Sequence, residues 1–129
     1  MRMIILALAS FFLSAMTVVD NASPGEIMRA LGSGNAVVLG QYFDSNVEIA
    51  MLDDEQTYTK DKAIQVMKDF FARNPTKGFV QVHQGVSRQS QSEYIIGNLS
   101  TSSGIFRVYI YCRVAGINYF IQEIRIDRE

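Results

Sequence analysis

Few side chains in this 129-residue chain could move a proton or hold a ligand, and their spacing limits the chemistry. A single histidine, His83, excludes a centre built from several imidazoles and leaves only the role of a lone general base. The competing role is structural, with the ring satisfied by Glu123 or by a tyrosine hydroxyl across a sheet. Glu48 and Tyr58 stand in two short alternating runs, where they are the polar groups that could reach the mouth of a pocket; solvated strand positions are the alternative. Glu48, Tyr58 and His83 are therefore the candidate catalytic residues. Cys112, the one cysteine, falls on an apolar stripe and reads as a small hydrophobe rather than a nucleophile. Asp53, Asp54 and Glu55 crowd a turn that is expected to face water. No phosphate-binding glycine loop, Walker motif or Gly-x-Ser-x-Gly turn occurs, and Gly32-Ser33-Gly34 reads as a helix break, so no metal and no cofactor are expected.

A second set of residues is suited to contact rather than catalysis. Over residues 105–114 and 119–127 the even positions Phe106, Val108, Ile110, Cys112, Val114, Phe120, Ile124 and Ile126 are apolar. The odd positions carry Arg107, Tyr109, Tyr111, Arg113, Tyr119, Ile121, Glu123, Arg125 and Asp127. A loop of three residues, or another odd number, pairs even with even and keeps the apolar set on one side, whereas a two-residue loop mixes the faces. The pattern predicts the odd loop. The same reasoning places Val80, Val82 and Val86 on the core face, with Phe79, Gln81 and His83 opposite. Tyr and Arg are enriched where protein surfaces meet, so Arg107, Tyr109, Tyr111, Tyr119, Glu123 and Arg125 are the candidate interface. Rings that merely stabilise cross-strand pairs on a solvated face are the competing explanation.

The elements that must position these groups follow from periodicity. Ser23-Pro24-Gly25-Glu26 has the form of a capping box and opens a short helix to about Leu31. Ala36, Leu39, Tyr42 and Phe43 recur at helical spacing and predict a second short helix. Residues 47–51 and 57–59 predict a small hairpin. Thr59 caps a third helix whose apolar arc is Ala63, Ile64, Val66, Met67, Phe70 and Phe71, and Asn74-Pro75 stops it. From Phe79 the period becomes two, giving strands at 79–87, 93–100, 105–114 and 119–127. The expected fold class is α+β: short N-terminal helices, a small hairpin and a third helix packed on a curved antiparallel sheet of four long strands.

This order of elements resembles the nuclear transport factor 2-like (NTF2-like, cystatin-like) superfamily over the whole chain after the presequence. Gln41-Tyr42-Phe43-Asp44-Ser45-Asn46-Val47-Glu48, Lys68-Asp69-Phe70-Phe71, His83-Gln84-Gly85 and Ile121-Gln122-Glu123-Ile124-Arg125-Ile126 are similar to a family of small secreted bacterial proteins of unknown function within it. The resemblance implies a cone whose curved sheet wraps the helices, often pairing through the outer sheet face. Enzymes of that superfamily place an Asp, His or Tyr inside the cone, whereas the inward positions inferred here are mostly Val, Ile, Phe and Leu.

Composition bounds the setting. Met1-Arg2-Met3 followed by a nearly unbroken apolar run from Ile4 to Met16 is a secretion-signal pattern, interrupted by Asp20 and Asn21 before it could span a bilayer. Residues 1–22 are expected to be a cleaved signal peptide and residues 23–129 a single domain, secreted or periplasmic, with no stable membrane anchor. With 48% hydrophobic residues and a formal charge of −1 the chain is globular and has no pull toward nucleic acid. The expected function is an exported, non-catalytic binding or assembly module that pairs as a homodimer through the outer sheet face and takes a protein, peptide or small apolar ligand. The alternative is a small lyase, isomerase or hydrolase working in a cone-shaped pocket.

Overall fold

Ile27, Ala30 and Leu31 fall on one side of a helix and are buried, which is what makes α1 (Pro24–Ser33) pack. A computed structural model describes residues 24–129; the expected presequence and the Ser23 cap lie outside the described residues. The Asn35 side chain accepts from the Val38 amide to start α2 (Ala36–Gly40), a single short helix. The sequence predicts helix through Phe43, but α2 stops at Gly40. The Tyr42 carbonyl accepts from the Ile121 amide at 2.6 Å, so the chain is already engaged by the sheet, and Phe43 begins β1 (Phe43–Met51).

Leu52, at φ 54°, turns the chain into β2 (Asp54–Thr59). Thr59 then caps α3 (Lys60–Arg73), its hydroxyl accepting from the Lys62 amide. Ala63, Met67, Phe70 and Phe71 are buried, as the apolar arc predicts, and Ile64 and Val66 are half-buried beside them. Three antiparallel pairings join β3 (Thr76–Ser87), β4 (Ser92–Thr101), β5 (Gly104–Ala115) and β6 (Asn118–Arg128).

The expected sheet of four strands is corrected to six. The hairpin is not a separate flap: β1 runs parallel to β6, and the sheet order is β2-β1-β6-β5-β4-β3. Apolar partners explain the closure, because Ile49 lies beside Ile124 and Met51 beside Ile126. Among the described residues α1 packs against β3 and β4, α3 packs against β1 and β2, α2 lies against α1 and α3, and the core lies between these helices and the sheet.

Two bulges correct the expected faces. In β6 the turn is the two-residue Gly116-Ile117, with Gly116 at φ 62°, so near the turn Val114 opposes Tyr119 and Arg113 opposes Phe120. Gln122 is the extra residue, and beyond it Tyr111 opposes Glu123 and Ile110 opposes Ile124. The even-with-even register therefore holds only past the bulge. Ile121 is buried on the helix face, Phe120 is displaced to the outer face, and Tyr119 packs toward the core.

In β3, Phe79 opposes the buried Leu99 and packs against the core, which turns Val80 outward to 67% exposure. Val82 is the extra residue between the Gln81 and His83 pairings. Val86 does share the inner face with Glu93, but no described helix reaches that end, and its side chain is exposed. The three valines are thus not core residues.

Candidate functional site

The aromatic part of the outer face is built by alternation from β3, β4 and β5. His83 on β3 sits opposite Ile96, and its Nε2 lies 2.9 Å from the Tyr94 hydroxyl on β4. Their rings are 5.6 Å apart, and Tyr94 stacks at 6.1 Å and 23° on Tyr109 of β5. Gly85 makes the ladder possible, because a Cβ there would lie 2.1 Å from the Tyr94 ring. Tyr109 opposes Arg125 and Tyr111 opposes Glu123 on β6, so rings pass into charges across adjacent strands.

Arg125 hydrogen-bonds Glu123 and lies 3.8 Å from Glu55. Glu48 belongs to the same group, since it pairs with Glu123 in one direction and Thr57 in the other. Hydrogen bonding to the Glu55 carboxylate, then desolvation and the charge of Glu123, raise the Glu48 pKa above its ordinary value. Desolvation and the Glu123 charge likewise raise that of Tyr109, so its phenol stays neutral. At the ends of β5, Arg107 donates to Asn98 at 2.9 Å and pairs with Glu129 at 2.7 Å, while Arg113 lies 4.5 Å over the Phe120 ring. Asp44 holds that corner: the Gln122 amide, the Ser45 backbone N–H and the Arg113 charge lower its pKa against an opposing desolvation.

Besides a shallow hollow between the helices, bounded by Asn35, Val37, Lys68 and Phe71, the inner side of the sheet carries recesses next to the strands. One of about 280 Å³ opens between α3 and the sheet, with Met51, Val66, Phe70 and Phe106 as its apolar walls and Arg73 and Arg128 at its edge. The other, about 500 Å³, lies at the turn end of β3 to β6 and is walled by Val86, Val114 and Tyr119 over Ser92 and Glu93. Cys112 is buried beneath this second recess, and burial, with the Glu93 charge adding, pushes its thiol up to about 12. A neutral thiol there behaves as core.

Arg107, Tyr109, Tyr111, Glu123 and Arg125 do share one face as the alternation predicts. Tyr119 does not: the register before the Gln122 bulge turns it to the inner face. Glu48, Tyr58 and His83 are not brought together. Glu48 is on the outer face, Tyr58 opposes the buried Val47 and packs inward, and His83 stands on the opposite edge strand from β2. Among the described residues no group of three or more His, Cys, Asp or Glu could hold a metal ion, and no helix is long and apolar enough to cross a membrane. Sequence reasoning missed Tyr94 and Glu93. Their signal was the alternation of Glu93, Ile95, Gly97 and Leu99, all buried, against Tyr94, Ile96 and Asn98, all half-buried.

Residues 24–127 match the model of a domain of unknown function, DUF4783. A crystal structure of a DUF4783 family protein from Bacteroides ovatus is 32% identical, with a TM-score of 0.77 over 83% of this chain and 96% of that one. At the level of fold alone, a solved structure described as Rd1NTF2_04 with long sheet is 15% identical, with a TM-score of 0.64 over 80% of this chain and 94% of that one. A protein of unknown function with a cystatin-like fold from Methylobium petroleophilum is 6% identical, with a TM-score of 0.60 over 80% of this chain and 70% of that one. These neighbours agree with the NTF2-like resemblance. No curated protein matches significantly.

Proposed function

The chain belongs to the DUF4783 family, a domain of unknown function, and from that premise we propose that it is an exported, non-catalytic binding module that self-associates through the outer face of its sheet. The carrying observation is the ladder of His83, Tyr94 and Tyr109, with Tyr111 beside it, on the face that none of the described helices covers. Such rings present broad, stiff contact area at low entropy cost. Charge favours a second copy as the occupant. Glu48, Glu55 and Glu123 gather on β1, β2 and β6, and Arg107 and Arg113 lie toward the two ends of β5, so a twofold contact can bring arginines of one copy to carboxylates of the other. The catalytic alternative is weakened because its three candidate residues lie on different faces and edges. Export is supported by the charged start and apolar run of residues 1–16.

Light scattering on the wild type and on Tyr109→Glu combined with Tyr111→Glu tests the self-association. A concentration-dependent dimer is expected for the wild type and a folded monomer for the double variant, with circular dichroism as the folding control. A wild type that stays monomeric across the micromolar range would remove the homodimer. Export has its own test, since intact mass of protein recovered outside the cytoplasm should lack the N-terminal segment, and recovery of the full-length chain in the cytosol would refute it.

A further inference from the structure

The larger inner recess contains a charge that the outer-face reading leaves unused. Glu93 lies on the inner face of β4 and is only 6% exposed. Its neighbours there are neutral. The Gln84 side-chain amide donates to it, the Tyr119 phenol faces it, and the Cys112 thiol is buried beside it across the β4–β5 pairing. Tyr119 remains protonated, its pKa raised first by burial and then by Glu93. Among the described residues no lysine, arginine or histidine is ion-paired with Glu93, and the nearest lining cation, Arg88, is exposed. The Glu93 carboxylate is thus held by neutral donors, with no countercharge paired to it.

The space beside it is of ligand size. The recess holds about 500 Å³, within the roughly 300–1,000 Å³ of small-molecule sites. Val86 and Val114 give it apolar walls and the Tyr119 ring an amphipathic one. We propose that this recess binds a small organic ammonium ion, its charged head on the Glu93 carboxylate and its apolar body between Val86, Val114 and Tyr119. An anionic ligand would be repelled by Glu93. A bare metal ion would find one carboxylate and no second ligand of that kind, which does not make a coordination site.

The test uses three probes of one shape: benzylammonium, benzyl alcohol and benzoate, each titrated into the isotope-labelled chain with amide chemical shifts as the readout. Benzylammonium should give saturable shifts at Val86, Glu93, Val114 and Tyr119, with a Kd on the order of millimolar for so small a probe. Benzyl alcohol and benzoate should bind at least about tenfold more weakly. Glu93→Gln, nearly isosteric, should abolish the preference for the cation. Val86→Phe, which narrows the recess without altering charge, should weaken benzylammonium by a similar factor and covers the case in which Glu93→Gln fails to fold. Equal binding of benzylammonium and benzyl alcohol, unchanged binding in Glu93→Gln or in Val86→Phe, or no saturable shift up to tens of millimolar would each overturn the proposal.

Discussion

Val108 and Tyr109 are neighbours on one strand and meet two different worlds. Val108 is wholly buried beneath the helices, among Ile110, Ile124, Ile126 and Phe106, where contact is made on every side and any mismatch is felt. Tyr109 stands on the opposite face, half-buried, touching its surroundings chiefly through one stacked ring and a charged neighbour. The inner face is held by collective packing and the outer by separable pairs. Substitutions should therefore damage the fold on one side and association or local order on the other.

The largest expected effect lies in the core. Phe70 is buried and meets Phe71 and Phe106 edge to face at 5.8 and 5.3 Å, so Phe70→Ala should cost about 3–5 kcal/mol in chemical denaturation. Lys68→Ala, two residues away on the exposed arc, should stay within about 0.5 kcal/mol. Equal losses would dissolve the distinction between the two sides of α3.

A matched pair of valines sharpens the contrast. Val108→Thr puts a hydroxyl where no partner awaits it and should cost about 1–3 kcal/mol, whereas Val80→Thr on the exposed side should be near neutral. If Val80→Thr were the costlier, the register of β3 would be wrong. Next in size is Tyr94→Ala, expected to cost about 0.5–1.5 kcal/mol through the two ring contacts it ends. NMR should also show the His83 ring losing its fixed orientation, and an unmoved His83 signal would sever the ladder.

The smallest effect is electrostatic and has a definite sign. A carboxyl whose pKa is raised by folding stabilises the folded state at acid pH, and that contribution is lost as pH rises through the raised value. Glu48, raised from 4.5, is such a group. Glu48→Gln should therefore increase Tm by about 1–2 °C at pH 7. The gain should shrink toward zero as the medium is acidified below pH 4.5, because the native carboxyl is then protonated too. A Tm difference that ignores pH would show that Glu48 does not titrate against its neighbours.

What the sequence disclosed and what it hid can be traced to particular residues. The third helix was legible because Ala63, Met67, Phe70 and Phe71 share one arc and Thr59 is a strong cap. The strands were legible because alternation is long and clear over Phe106, Val108, Ile110 and Cys112. The bulges were not. Tyr119, Phe120 and Ile121 are three apolar-bodied residues in succession, and such a run carries no information about which of them faces inward; hydrogen bonding around Gln122 decides it. Val80, Val82 and Val86 misled for a different reason, since β-branched residues favour strands whether or not anything covers them. The shared outer face of Arg107, Tyr109, Tyr111, Glu123 and Arg125 followed from period two, as the inward Glu93 could have, but the separation of Glu48, Tyr58 and His83 depends on strand order, which local pattern does not encode.

The place of β6 in that order bears on how the chain comes to be folded. β6 follows the other five described strands in sequence yet is central, hydrogen-bonded to β5 on one side and, across about 70 to 80 residues of chain, to β1 on the other. Until Ile121, Ile124 and Ile126 arrive, the hairpin and the meander are two unjoined fragments, each with an open edge. Closing them requires β1 and β6 to find one another over that separation, which slows the search relative to a fold assembled from local contacts. The hairpin of β1 and β2 therefore cannot join the sheet before β6 is made, although it precedes β3, β4 and β5 in the sequence.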